Sequence, residues 1–168
     1  MKLGSYLQHM YQFGYVTRDM EAAKRRIIET MGVETFLERE SNRTVELFGR
    51  PSPFRIQIAL ANIGDKQIEI ILPLEGVIDF YYQGLDLDRG PLTLHHMGVM
   101  VENPDTEWAS MREAVRAAGY SVALDSDDAT FVRILYADTR ADLGHYVEFL
   151  GFSAEGLAAH RSMPDQAR

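Results

Sequence analysis

The sequence predicts an α+β fold in which one strand–helix–strand–strand–strand run is written twice in tandem. Three observations carry that reading. "YQFGYVTRDMEAAKRRIIETMG" from Tyr11 and "HHMGVMVENPDTEWASMREAVRAAG" from His95 begin alike, each with a polar residue two places before a glycine (Gly14, Gly98). In both, a short apolar strand, an acid-containing turn and an amphipathic helix follow, and the helix closes on Gly32 or Gly119. After each helix come short, alternating segments rich in β-branched residues, and 168 residues suffice for one sizeable core.

The elements follow in order. Met20, Ala23, Ile27 and Met31 form one apolar stripe at helical spacing, as do Trp108, Met111, Val115 and Ala118 in the second copy. Asp19 is placed to cap the first helix, and Asn103 or Asp105, flanking Pro104, to start the second. The first copy continues through "VETFLERE", "RTVELFGR", "FRIQIALA" and "KQIEIILP", with "NIGD" at Asn62 reading as a hairpin turn. The second continues through "YSVALD", "TFVRILYAD" and "GHYVEFLG". One domain over residues 1–168 is expected: a first module at about 8–74, a linker with a short helix at about 75–92, a second module at about 93–152 and a frayed tail at 153–168.

Composition narrows the function. A net charge of −8 argues against a nucleic-acid partner and an anionic membrane surface. No run approaches the roughly 18 apolar residues of a membrane span, and "MKLGSYLQHM" lacks the layout of a signal peptide. The absence of cysteine excludes disulfides and thiolate catalysis, and a cytoplasmic location is expected. No serine sits in a Gly-x-Ser-x-Gly turn, so the nucleophile of a hydrolase is missing.

The period of two along the strands then sorts the side chains by face. Phe54, Ile56, Ile58 and Leu60 share a face, expected to pack under the helices, as do Ile68, Ile70 and Leu72. Gln67, Glu69 and Ile71 face the other way, and Glu148 lies opposite Val147 and Phe149. Gln12 and Glu69 in the first copy, and His96 and Glu148 in the second, therefore stand at corresponding places, where the duplication would gather them in one cup. Each taken singly is more often a solvated strand residue or a satisfied core histidine. Together, two carboxylates, an imidazole and an amide oxygen suit a divalent cation, with zinc, nickel, cobalt, manganese and iron all compatible.

The stretches "QFGYVTRDMEAA", "QIEIILP", "HHMGVMVEN" and "HYVEFL" resemble the vicinal oxygen chelate superfamily over nearly the whole chain, from about Tyr11 to Phe152. The likeness is greatest to glyoxalase I and methylmalonyl-CoA epimerase-like members. It implies two tandem βαβββ modules forming a curved mixed sheet around a metal-binding cup, with one divalent ion held by Gln12, Glu69, His96 and Glu148. A glutamine–glutamate–histidine–glutamate set is similar to that of some glyoxalase I enzymes. The epimerase differs in carrying histidine at the first place and glutamine at the second. Extradiol dioxygenases use two histidines and one glutamate, so Gln12 speaks against oxygen chemistry.

What the resemblance implies is a metal-dependent isomerase, epimerase or lyase that abstracts a proton next to a chelated carbonyl. Glu148 is then the first choice as base and Glu69 its counterpart across the substrate. The expected partners are a small carbonyl or thioester substrate and a second copy of the chain, with "FYYQG" and the methionines offering apolar surface for a homodimer. A metal-free binding protein of the bleomycin-resistance kind is the alternative. Arg43, Arg50, Arg55 and Arg133 are candidates for holding a substrate carboxylate such as glutathione's. His95 is expected to be structural or to support the site, and His145 to lie in a loop.

Overall fold

The computed structural model describes residues Lys2–Asp165. Two βαβββ runs are present: β1 (Met10–Val16), α2 (Met20–Met31), β2 (Leu37–Leu47), β3 (Arg50–Ile63) and β4 (Lys66–Glu75), then β5 (Thr93–Met100), α4 (Pro104–Ala117), β6 (Val122–Ser126), β7 (Val132–Ala137) and β8 (Tyr146–Phe152). Short helices α1 (Gly4–Leu7), α3 (Ile78–Tyr82) and α5 (Arg140–Leu143) flank them, and α6 (Ala154–Arg161) follows. Among the described residues no helix is long and apolar enough to cross a membrane.

The chain divides into two compact units. The amino-terminal unit comprises Gln12–Thr44, Ser52–His95 and the chain from Pro164 on; the carboxy-terminal unit takes the chain up to Tyr11, Val45–Pro51 and His96–Met163. The boundaries thus fall inside β1, β2, β3 and β5.

In the amino-terminal unit the strands run in the order β1-β4-β3-β2, with β1 parallel to β4 and β3 antiparallel to β4. Asp19 caps α2 by accepting from Ala22 N at 3.0 Å, and Gly32, at φ +69°, closes it in the left-handed region glycine tolerates. Met20, Ala23 and Ile27 pack on Ile68 and Ile70, as the stripe predicts, whereas Met31 is exposed.

The β3 face under α2 is the opposite of the one expected. Ala59 and Ala61 pack there, as the register partners of Ile70 and Ile68. Ile58 and Leu60 pair with Ile71 and Glu69, so these bulky residues share the carboxylate's face. Small side chains let the helix approach the sheet, and the large ones fill the far side. "VETFLERE" and "RTVELFGR" also differ from expectation: one long strand, β2, runs from the first into the second.

In the carboxy-terminal unit the order is β6-β7-β8-β5, with β5 and β8 parallel. Trp108, Met111, Ala114 and Val115 of α4 pack on Val99, Leu135, Val147 and Phe149. Ala118, expected on that stripe, is exposed, and Ala114 takes the place. Asn103 precedes Pro104 at the start of α4, and its N–H donates to Glu107 Oε2 at 3.3 Å. Gly151 sits where an added Cβ would come within 2.8 Å of Pro104 Cβ and 2.9 Å of Trp108 Cζ3. This helix too needs a small residue beneath it.

The region after Phe152 is more ordered than its weak pattern predicts. Ser153 caps α6 by accepting from Gly156 N at 3.1 Å, and the His160 ring stacks on Phe152 at 4.9 Å and meets Tyr11 edge-on at 5.3 Å. In the amino-terminal unit, Asp165 accepts from Gly64 N at 3.2 Å. Residues 166–168 of the tail expected to fray lie outside the described residues.

Candidate functional site

The duplication is repeated in the strand register. In the amino-terminal unit, parallel pairing sets Gln12 beside Gln67 and Gly14 beside Glu69. In the carboxy-terminal unit it sets His96 beside Tyr146 and Gly98 beside Glu148. Each unit therefore carries a ligand-type residue two places before a glycine, and each glycine lies across from a glutamate. Register partners project to the same face, so the glycines leave each carboxylate open on its parallel side, while Leu60 and Tyr136 are its partners on the antiparallel side.

All four predicted residues are buried: Gln12, Glu69, His96 and Glu148. In the carboxy-terminal unit His96 Nε2 lies 3.2 Å from Glu148 Oε2. Two donors each about 2.1 Å from one ion, at right angles, would stand about 3.0 Å apart, so the spacing fits a shared cation. Tyr136 meets the His96 ring edge-on at 5.1 Å and Tyr146 at 6.1 Å, walling this side with aromatic surface. Burial pushes the Tyr146 hydroxyl up from 10.0 to about 12, although the Arg140 guanidinium, 4.6 Å above its ring, acts in the opposite direction.

In the amino-terminal unit the Gln12 amide donates from Nε2 to Gln67 Oε1 at 2.8 Å, and Gln67 Nε2 donates to Asn62 Oδ1 at 2.9 Å. Among the described residues Gln12 Oε1 is buried and accepts no hydrogen bond, whereas Glu148 Oε2 is buried with His96 Nε2 3.2 Å away. A buried oxygen without a donor is costly unless something positive reaches it. Carboxylate and amide oxygens with one imidazole nitrogen are donor types that fit a hard or borderline divalent ion.

Other expectations sort clearly. His95 is buried against the rings of Phe80 at 5.2 Å and Tyr81 at 4.9 Å, a packing role. Phe80 and Tyr81 are themselves buried, and the Tyr82 hydroxyl donates to Thr17 O at 2.8 Å, so these rings are not the dimer surface expected of them. His145 lies in the turn before β8, with Nδ1 2.8 Å from Tyr146 O. Arg55 is held by Glu40 at 2.6 Å, and Arg133 by Asp105 and Asp127, both at 3.0 Å. Arg43 lies over the Phe54 ring at 5.5 Å, and Arg50 is exposed.

Sequence reasoning did not single out the Asn62–Gln67 relay or the Tyr136 and Tyr146 rings. The signal existed. Gln67 and Tyr146 each stand two residues before the glutamate of their strand, on its face.

No protein-family model matches the chain, and no curated protein matches it. Solved structures do. A methylmalonyl-CoA epimerase from Mycobacterium tuberculosis matches at TM-score 0.57 and 15% identity, over 90% of this chain and 91% of that one. A methylmalonyl-CoA epimerase in complex with methylmalonyl-CoA and NH4+ matches at 0.55 and 17%, over 87% and 95%. A Streptomyces coelicolor methylmalonyl-CoA epimerase variant in complex with 2-nitronate-propionyl-CoA matches at 0.52 and 19%, over 87% and 97%. At these identities it is architecture that is shared: the chain has the same fold as these structures, built here from two βαβββ runs.

Proposed function

We propose that this chain is a metal-dependent isomerase or epimerase that moves a proton at the carbon next to the carbonyl of a small thioester or related carbonyl compound. The observation that carries the reading is the duplicated register: a buried glutamate across from a glycine in each unit, with a second ligand-type residue two places before that glycine. The proposed ligands are Gln12 and Glu69 of the amino-terminal unit and His96 and Glu148 of the carboxy-terminal unit, all four buried. A divalent ion there supplies the positive charge that stabilises the negative charge developing on the substrate's carbonyl oxygen.

The rest of the work falls to the chain. The Glu148 carboxylate accepts the proton leaving the carbon, and Glu69 is the counterpart that returns one to the opposite face. Ile58, Leu60 and Ile71 on the Glu69 face, and Tyr136 and Tyr146 beside His96, exclude water and so strengthen every charge interaction at the reacting atoms.

Two observations favour a thioester over a glutathione adduct. Arg55 and Arg133, candidates for a glutathione carboxylate, are already engaged by acidic side chains. Structures of similar fold include epimerases in complex with CoA thioesters. The Gln12–Glu69 pair, by contrast, has the glyoxalase I order, so the proposal extends to a lyase working through the same proton transfer. Self-association as a homodimer is proposed through exposed apolar residues such as Ile28, Met31 and Leu37. A concentration-independent monomer mass in light scattering would refute it.

The test of function is hydrogen exchange. Metal-loaded protein in deuterated water should introduce deuterium next to the carbonyl of acyl-CoA thioesters, 2-oxo acids or hemithioacetals, and the substrate that exchanges separates epimerase from lyase. No exchange with any of them, together with tight metal-free binding of a bulky ligand, would establish the binding-protein alternative instead.

A further inference from the structure

We infer that Gln67 is a positioning residue that holds the Gln12 carboxamide with its oxygen, rather than its nitrogen, available to a cation; the inference rests on the metal site proposed above. A glutamine side chain has two ends of nearly equal size and opposite electrostatics, and only the oxygen can bind a metal ion. Left alone, the amide would rotate between them. Here Gln12 Nε2 is occupied, donating to Gln67 Oε1 at 2.8 Å, and both residues are buried.

Gln67 can accept in this way because its own orientation is fixed in turn. Its Nε2 donates to Asn62 Oδ1 at 2.9 Å, and Asn62 is its register partner across the β3–β4 hairpin. The hairpin end is itself tied, since Asn62 forms a strand bridge with Asp165 and Gly64 N donates to the Asp165 carboxylate at 3.2 Å. Three amides in series thus pass an orientation from a hairpin to a buried oxygen that accepts no hydrogen bond among the described residues. The other unit shows why the relay is needed only once. There the equivalent ligand is His96, whose cross-strand neighbour is Tyr146. An imidazole carries two nitrogens and no oxygen, so the oxygen-or-nitrogen choice does not arise there.

The test is Co²⁺ affinity by calorimetry on the purified full chain, with far-ultraviolet circular dichroism to confirm folding. Gln67→Met keeps the bulk and removes the acceptor, and it should weaken Co²⁺ binding by roughly 10–100-fold, the usual effect of losing a partner that orients a ligand. Gln67→Glu retains an acceptor for Gln12 Nε2 and should keep most of the affinity. The readout that separates positioning from mere structure is a double-mutant cycle with Gln12→Glu, whose carboxylate is symmetric and needs no orienting. In that background Gln67→Met should cost much less.

Equal losses in both backgrounds would assign Gln67 to the fold alone and overturn the inference, as would an unchanged affinity in Gln67→Met. A wild-type chain that binds no Co²⁺ would overturn the metal reading, and this inference with it.

Discussion

At the scale of single residues, Glu148 and His96 can be used to separate the two roles proposed for them, base and metal ligand. Glu148→Gln keeps an oxygen donor but cannot take up a proton. Metal content should stay near that of the wild type while turnover falls about 10²–10⁴-fold, measured by exchange kinetics alongside elemental analysis. His96→Ala should lose the metal and keep the circular dichroism spectrum, because Val99, Leu135, Val147 and Phe149 build the α4 core from other positions. Tyr146 offers a pH test. Its folded-state pKa, about 12, lies above its unfolded value of 10.0, so the folded chain favours the neutral phenol. That contribution to stability is complete below pH 10 and is lost as pH rises toward 12. Urea midpoints should therefore fall between pH 10 and 12, and Tyr146→Phe should flatten the fall.

At the scale of elements, both long helices depend on small residues in the strands beneath them. Ala59→Leu under α2 and Gly151→Ala under α4 should each destabilise by about 1–3 kcal/mol in urea titration, since the added atoms have no space. These positions also show what the sequence could reveal. The two βαβββ runs, the caps at Asp19 and Gly32 and the matched strand places of Gln12, Glu69, His96 and Glu148 were legible, because each follows from local chemistry or from parity. The β3 face was not. Size ranks Ile58 and Leu60 above Ala59 and Ala61 as core candidates, but closeness of approach, which no single strand encodes, puts the alanines under the helix. Helix α6 was hidden because it is held by an aromatic ring, His160, and a serine cap rather than by an apolar stripe.

At the scale of the molecule, each unit has its own core, and the proposed metal binding should act on the stability of the whole chain. Saturating metal should then stabilise the fold by mass action. At a free concentration about 100 times the dissociation constant this is worth about 2.7 kcal/mol, or roughly 5–10 °C in melting temperature for a chain of this size. Chelation should reverse the shift, and calorimetry with and without chelator measures it. A melting temperature indifferent to metal would mean that the ion, if bound, does not prefer the folded state.

The strict alternation along β4 and β8 has a further consequence, for how such a chain can change over evolutionary time. Ile68, Glu69 and Ile70, like Val147, Glu148 and Phe149, interleave core side chains with a buried carboxylate of proposed function on successive residues. Deleting or inserting one residue in either strand would turn the carboxylate into the core and bring an isoleucine, valine or phenylalanine to the site, a double penalty that no single compensating substitution repairs. Insertions and deletions should therefore be tolerated better in the connections between strands than within β4 or β8, where exchanging one side chain for another in place is the less disruptive change.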